Sequence, residues 1–211
     1  MEKIDFKKEY KDLYLPKTTP MLIQVPKMKF IIVEGQGNPN EVEGAYKQAI
    51  QILYALSFTI KMSKMGEKKI EGYYEYVVPP LEGLWWMDNY EGIDYAHKED
   101  FKWISMIRQP EFVTKEVFDW ACKEASQKKN INVEKAKFIE MEEGLCVQCM
   151  HKGSYDEEPS TIQKIENYIK KQGLENAIGK QRRHHEIYLS DPRKAKVDNL
   201  KTVIRIPVKR R

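Results

Sequence analysis

IIVEGQGNPNE (31–41) and VQCMHKGSYDE (147–157) are laid out alike. Each runs as a strand, reaches a glycine (Gly37, Gly153), passes a polar turn and enters a helix. After the first, Val42, Ala45, Tyr46, Ala49, Ile50, Leu53 and Leu56 repeat at the spacing of an amphipathic helix over 41–62. After the second, Glu158-Pro159 opens a helix carrying Ile162, Ile165 and Ile169, with proline suited to its first turn. Two strand-like runs follow each helix: YYEYVV (73–78) and EGLWWM (82–87), then HHEIYL (184–189) and KTVIRIPV (201–208). The reading is an α+β chain of two strand–helix–strand–strand copies (SHS2-type), helices outside, around a sheet-lined central cleft. A single domain over 1–211 divides into an arm (1–26), a first repeat (27–88), an insertion (89–142) and a second repeat (143–211). The arm reads as a short helix, Ile4 to Tyr14, then an extended stretch. Within the insertion, 89–100 reads as a loop, 103–110 as a strand, and Thr114 as the cap of a helix. Residues 136–153 read as strand, turn, strand.

The 211 residues are 41% hydrophobic and 32% charged, a globular composition that excludes disorder. No apolar run approaches the roughly 20 residues of a membrane helix. The charged N-terminus lacks a signal-peptide core, so the expected location is the cytoplasm. Three cysteines, Cys122, Cys146 and Cys149, fit reduced thiols. On a strand, Cys146 and Cys149 point to opposite faces, which favours packing over metal or redox chemistry. No metal or cofactor is expected. The net charge is only +4, and the basic clusters QRRHH (181–185) and VKRR (208–211) come without a recognisable nucleic-acid-binding motif. They read as solvated surface, against nucleic acid as a partner. The chain is expected to be a monomer or a homodimer.

Strand alternation sorts the candidate site. Ile187 and Leu189 share one face, expected to meet the helices; His184, Glu186 and Tyr188 share the other, expected to face the cleft. Glu186 among Ile187, Tyr188 and Leu189 suits either a cation-holding carboxylate or a general base for water. The sequence equally allows a surface carboxylate paired with Arg182 or Arg183. Glu82 carries the same ambiguity, with a turn role open to it. Trp85 and Trp86 are adjacent, so only one can enter the cleft. Tyr74, Tyr76, Tyr155, His151 and Trp103 complete the candidate pocket, which suits a small hydrophobic or planar aromatic ligand.

VPKMKFIIVEGQGNPNE near the start, PPLEGLWWMD in the middle and HHEIYLSDPRKAKVDNLKTVIRIPV at the end, with their spacing, resemble the GyrI-like small-molecule-binding proteins in their stand-alone bacterial form. The resemblance spans nearly the whole chain. It implies a duplicated strand–helix–strand–strand fold around a cleft. Some relatives are effector domains of multidrug-sensing regulators, where a glutamate on a late strand meets cationic aromatic drugs; Glu186 looks like that position. Others are linked to inhibition of DNA gyrase. Stand-alone relatives with an LEGLWW-like segment, here Leu81 to Trp86, include hydrolases of cyclopropane-bearing DNA-alkylating compounds. The function expected on this basis is detoxifying hydrolysis, with Glu186 (or Glu82) activating water, Tyr188 or Tyr155 donating a proton, and Trp85 or Trp86 stacking the ligand. The alternatives are a non-catalytic drug-sequestering module or a gyrase-modulating interaction protein.

Overall fold

The computed structural model describes residues 3–88, 94, 96–191 and 194–210. Half of the loop expected at 89–100, residues 89–93 and 95, therefore lies outside the described residues. The chain begins with two single helical turns, α1 (Phe6–Glu9) and α2 (Lys11–Tyr14), in place of the continuous helix expected there. There follow β1 (Met21–Gln36), α3 (Ala45–Lys61), β2 (Leu81–Trp86), β3 (Lys102–Gln109) and α4 (Lys115–Lys129). The second half is β4 (Ala136–Lys152), α5 (Glu158–Lys171), β5 (Leu174–Asn176), β6 (His184–Tyr188) and β7 (Lys201–Arg210).

The strand order is β4-β1-β3-β2-β6-β7-β5, and β4 also pairs with β7. Every pairing is antiparallel, so all strands except β5 close into a barrel-like ring. Closure removes the exposed strand edges that invite pairing with other chains. It also explains why the central strands are apolar on both faces: Phe30 and Ile32 point inward, Ile31 and Val33 outward, and all four are buried.

On the outer face, α3 packs on β1, β3 and α4, while α5 packs on β4, β5 and β7. The buried side of α3 is Ala49, Ile52, Leu53, Leu56 and Ile60, the stripe its sequence spacing requires. Thr114 caps α4, accepting from the Val117 N–H, and Asn130, at φ 51°, ends that helix in the left-handed region. Strands β2 and β6 lie between the two helical layers, with α3 reaching β2 through Tyr46 and α5 reaching β6 through Glu158.

Several sequence expectations are corrected. Residues 73–78 form no strand; Tyr76 makes a single bridge to Ile4. The aromatic residues there hold the coil by packing on Phe112. The strand that follows β2 is β3, inside the expected insertion. Residues 136–152 form one strand: Gly144 adopts φ +68°, but pairing with β1 keeps one register on both sides of it. The face assignment of β6 is inverted relative to the helices. Ile187 joins the inner cluster, and Glu186 looks outward. Strand closure creates an inner core that a simple two-layer picture lacks.

That inner core contains charge. His185 Nε2 lies 3.0 Å from Glu82 Oε2, and its Nδ1 lies 2.9 Å from Glu143 Oε1. Arg205 Nη1 reaches Glu143 Oε2 at 2.7 Å, and its Nε donates to Gln148 at 3.1 Å. Two contacts tie in the N-terminal arm: Arg205 Nη2 donates to the Leu13 carbonyl, and the Tyr14 hydroxyl donates to Glu82 at 3.2 Å. Burial opposes charge on His185, but Glu143 and Glu82 prevail and lift its pKa to about 9. Burial likewise opposes charge on Glu143, but His185 and Arg205 hold its pKa down at about 2.

The linkage has a definite sign. The raised His185 pKa adds stability that is complete below its ordinary 6.5 and is lost as pH rises through about 9. The depressed Glu143 pKa adds stability that is present above its ordinary 4.5 and is lost as pH falls through about 2. Thermal unfolding should therefore show Tm falling between pH 7 and pH 10, and His185→Gln should flatten that alkaline limb. The variant should also lose roughly 3–5 kcal/mol near neutral pH, the usual consequence of unpairing a buried charge. Equal alkaline slopes in both proteins would rule out His185 as the source.

Candidate functional site

Pairing across the sheet places Ser105, Gly83 and Glu186 in one row on the outer face. The row lies in the gap between the helical layers. Gly83 contributes no side chain, and the space above it is taken by its neighbours. A Cβ built on Gly83 would meet Trp85 Nε1 at 2.7 Å and the Tyr188 hydroxyl at 3.2 Å. Glycine is thus required for the indole and the phenol to lie across the strand.

Glu186 is the hub. Its Oε1 accepts from His184 Nε2 at 3.0 Å, and its Oε2 accepts from the Tyr188 hydroxyl at 2.7 Å. Trp85 Nε1 donates in turn to the Tyr188 oxygen at 2.8 Å. Glu158, in the first turn of α5, shares a further hydrogen bond with Glu186. Burial favours the neutral form of Glu186, yet the bonds and charge from His184, with the Tyr188 hydroxyl, keep its pKa below the usual range. Burial, with the Glu186 charge beside it, raises the Tyr188 pKa well above a free phenol, so the hydroxyl keeps its proton at neutral pH.

The walls are aromatic. Tyr46 of α3 packs on Trp85 and edge-on to Trp103, with ring centroids 5.2 and 5.1 Å apart. Tyr155 meets the Tyr188 ring edge-on at 5.8 Å. Glu186 retains 7% exposure, so the carboxylate is sheltered but not sealed.

Of the residues picked from sequence, Glu186, Tyr188, Trp85, Tyr155 and Trp103 come together here. Trp103 forms the back wall, close against Gly35. Trp86 does not join them; it lies half-buried under the Arg183 guanidinium, 4.4 Å away. Glu82 points through the sheet into the inner ionic network. Tyr74 and Tyr76 pack with Phe112 on the N-terminal side. His151 bonds Thr161 at 2.8 Å and the Ser154 carbonyl at 2.9 Å, fixing the entry to α5. Nor is Glu186 a surface partner of the arginines. Arg182 donates to the carbonyls of Glu143, Leu145 and Val208, and Arg183 stacks on Trp86.

Sequence reasoning missed Tyr46, Ser105 and Glu158 and left His184 unassigned. In the sequence Tyr46 falls on the apolar stripe of a helix and Glu158 opens one, and neither position by itself marks a site. The one available signal is that Tyr46 and Glu158 each stand in the first turn of a helix, α3 and α5. Among the described residues, no group of three or more His, Cys, Asp or Glu side chains is placed to hold a metal ion. No described helix is long and apolar enough to cross a membrane.

The GyrI-like small molecule binding domain model matches residues 18–209. The chain belongs to that family. Among solved structures, a hydrolase from Listeria innocua is 47% identical, with TM-score 0.89, covering 98% of this chain and 100% of its own. An uncharacterized conserved protein from Listeria innocua is also 47% identical, with TM-score 0.93 and the same coverage. The EcmrR C-terminal domain shares the fold at 11% identity, with TM-score 0.55 over 92% of this chain and 98% of its own. No curated protein matches the chain. The family's common property, a site for a small molecule, gives the buried glutamate and its aromatic walls their context.

Gly83→Ala should lower stability by roughly 1–3 kcal/mol, the range for overpacking, and should shift Trp85 emission. Denaturant unfolding and fluorescence together check this; an unperturbed spectrum would mean that the indole does not lie over Gly83.

Proposed function

We propose that the protein is a small-molecule hydrolase that opens the strained ring of planar, cyclopropane-bearing alkylating compounds by adding water. The observation that carries this reading is the ionised, sheltered Glu186 bonded to a proton-donating Tyr188 between aromatic walls. The hydrolase from Listeria innocua, nearly half identical over almost the whole chain, supports the reaction class.

In this mechanism Trp85 and the tyrosines stack the planar ligand and Glu186 takes the proton of a water molecule. The water oxygen bonds to a ring carbon. The electron pair of the breaking carbon–carbon bond passes into the conjugated carbonyl, which becomes a phenol on receiving the Tyr188 proton. Proton transfer from Glu186 back to Tyr188 closes the cycle. Two positioned proton carriers and an oriented water contribute proximity and acid–base catalysis. Relay through Trp85 and His184 keeps both carriers in place.

The same proposal includes an ancestral duplication. Apart from the short β5 that follows α5, β1-α3-β2-β3 and β4-α5-β6-β7 repeat one element order, and the sheet order places equivalent strands symmetrically about the β1–β4 pair. The cleft then lies where the two copies meet, with Tyr46 and Glu158 as counterparts from the two helices.

Mass spectrometry of a cyclopropane-bearing alkylator incubated with the protein should show a gain of one water. Glu186→Gln should reduce turnover by at least about a hundredfold, and Tyr188→Phe by a comparable factor, as general acid–base roles require. Ligand that co-purifies at unchanged mass would instead identify a sequestering protein.

A further inference from the structure

The inner side of the sheet holds a second concentration of aromatic and charged groups, behind Glu186 and separate from it. Arg108 of β3 stands opposite Phe30 of β1 and is only 4% exposed. Its guanidinium carbon lies 4.1 Å from the centre of the Tyr10 ring and 4.7 Å from that of Phe6. Phe6 belongs to α1, and Tyr10 joins α1 to α2, so the N-terminal turns close over the cation. Tyr74 is near enough to feel its charge.

The Tyr14 hydroxyl, which itself donates to Glu82, takes a hydrogen bond from one edge of the guanidinium, while the ring faces attract the cation but give its remaining in-plane N–H groups nothing to donate to. Arg108 Nε and Nη1 are in fact buried without a hydrogen-bond partner, and no carboxylate among the described residues pairs with Arg108. The surrounding charges make the shortage specific. Glu82 and Glu143 are already committed to His185 and Arg205. With His185 cationic between its two carboxylates, Arg108 is the one cation of the inner face left unmatched among the described residues. A buried charge with idle donors is costly unless a counter-charge reaches it.

We propose that Arg108 anchors a second binding site, on the opposite side of the sheet from Glu186, for the oxyanion of a small carboxylate or phosphate ligand. Tyr10, 39% exposed, is the side chain that turns aside to admit it. The aromatic surroundings of Phe6, Tyr10 and Tyr74 suit a ligand whose oxyanion is joined to a ring.

Isothermal titration calorimetry and thermal unfolding of the full chain in chloride-free buffer test this, with inorganic phosphate and benzoate as probes. Saturable binding of either is expected, with Tm rising with ligand concentration as binding to the folded state requires. Tighter benzoate binding would identify an aromatic acid as the ligand, and phosphate alone a free oxyanion. Arg108→Met should lose the response and, without anion, unfold at a higher temperature than wild type. Arg108→Lys keeps the charge but loses the planar donor set, and should bind roughly tenfold more weakly. Glu186→Gln should leave both titrations unchanged, which separates this site from the proposed hydrolysis. No saturable response of wild type to either probe, or an equal response in Arg108→Met, would overturn the proposal.

Discussion

The ion pairs on His185 determine more than local stability. His185 must face inward, because Glu82 and Glu143 meet it there and Arg205 completes the cluster. On a strand the neighbours of an inward residue must face outward. His184 and Glu186 are therefore directed into the gap between the helical layers by a partner that never touches the site. A slip of one residue in β6 would bury Glu186 in the inner core and strand two carboxylates. The polar core fixes the register on which the outer site depends.

The outer site gains its character from combining two environments. Burial alone would leave Glu186 neutral, and exposure alone would leave it an ordinary surface carboxylate. Here His184 and Tyr188 compensate the burial with directed hydrogen bonds, so charge persists where water is scarce. A charge held in that setting interacts more strongly with whatever enters than the same charge in bulk water. The nearby Glu158 adds a further hydrogen bond to the same carboxylate.

Much of the fold was legible from local pattern. The spacing in α3, the proline at the start of α5, the Thr114 cap and the alternation in β6 are local signals, and each produced the element it announced. The opposed faces of Cys146 and Cys149 were legible for the same reason; the first lies in the inner cluster and the second under α5. The errors came from what is not local. YYEYVV has strand composition but no neighbouring strand to pair with, and MEEGLC has a turn-like glycine inside a ladder that does not break. The inverted face of β6 followed from strand closure, which no single segment encodes. Glu186, Tyr188 and Trp85 stood out because polar and aromatic residues interrupt an apolar strand. Tyr46 and Glu158 did not, because a helix conceals the partners that only tertiary packing brings to it.

The ring of strands has no seam. Each neighbouring pair is joined by a continuous ladder, including the β4–β7 pair that closes it. The helical layers are anchored to different arcs of one hoop and cannot swing apart as two lobes around a hinge. Tyr46, Tyr155 and Tyr188 line the gap between those layers, and the Tyr188 hydroxyl is held there between Trp85 and Glu186. Side-chain rotations are intrinsically faster than collective hinge motions. With the strands locked in one hoop, whatever adjustment an entering molecule requires falls to side chains rather than to the sheet, and the floor of the gap stays rigid.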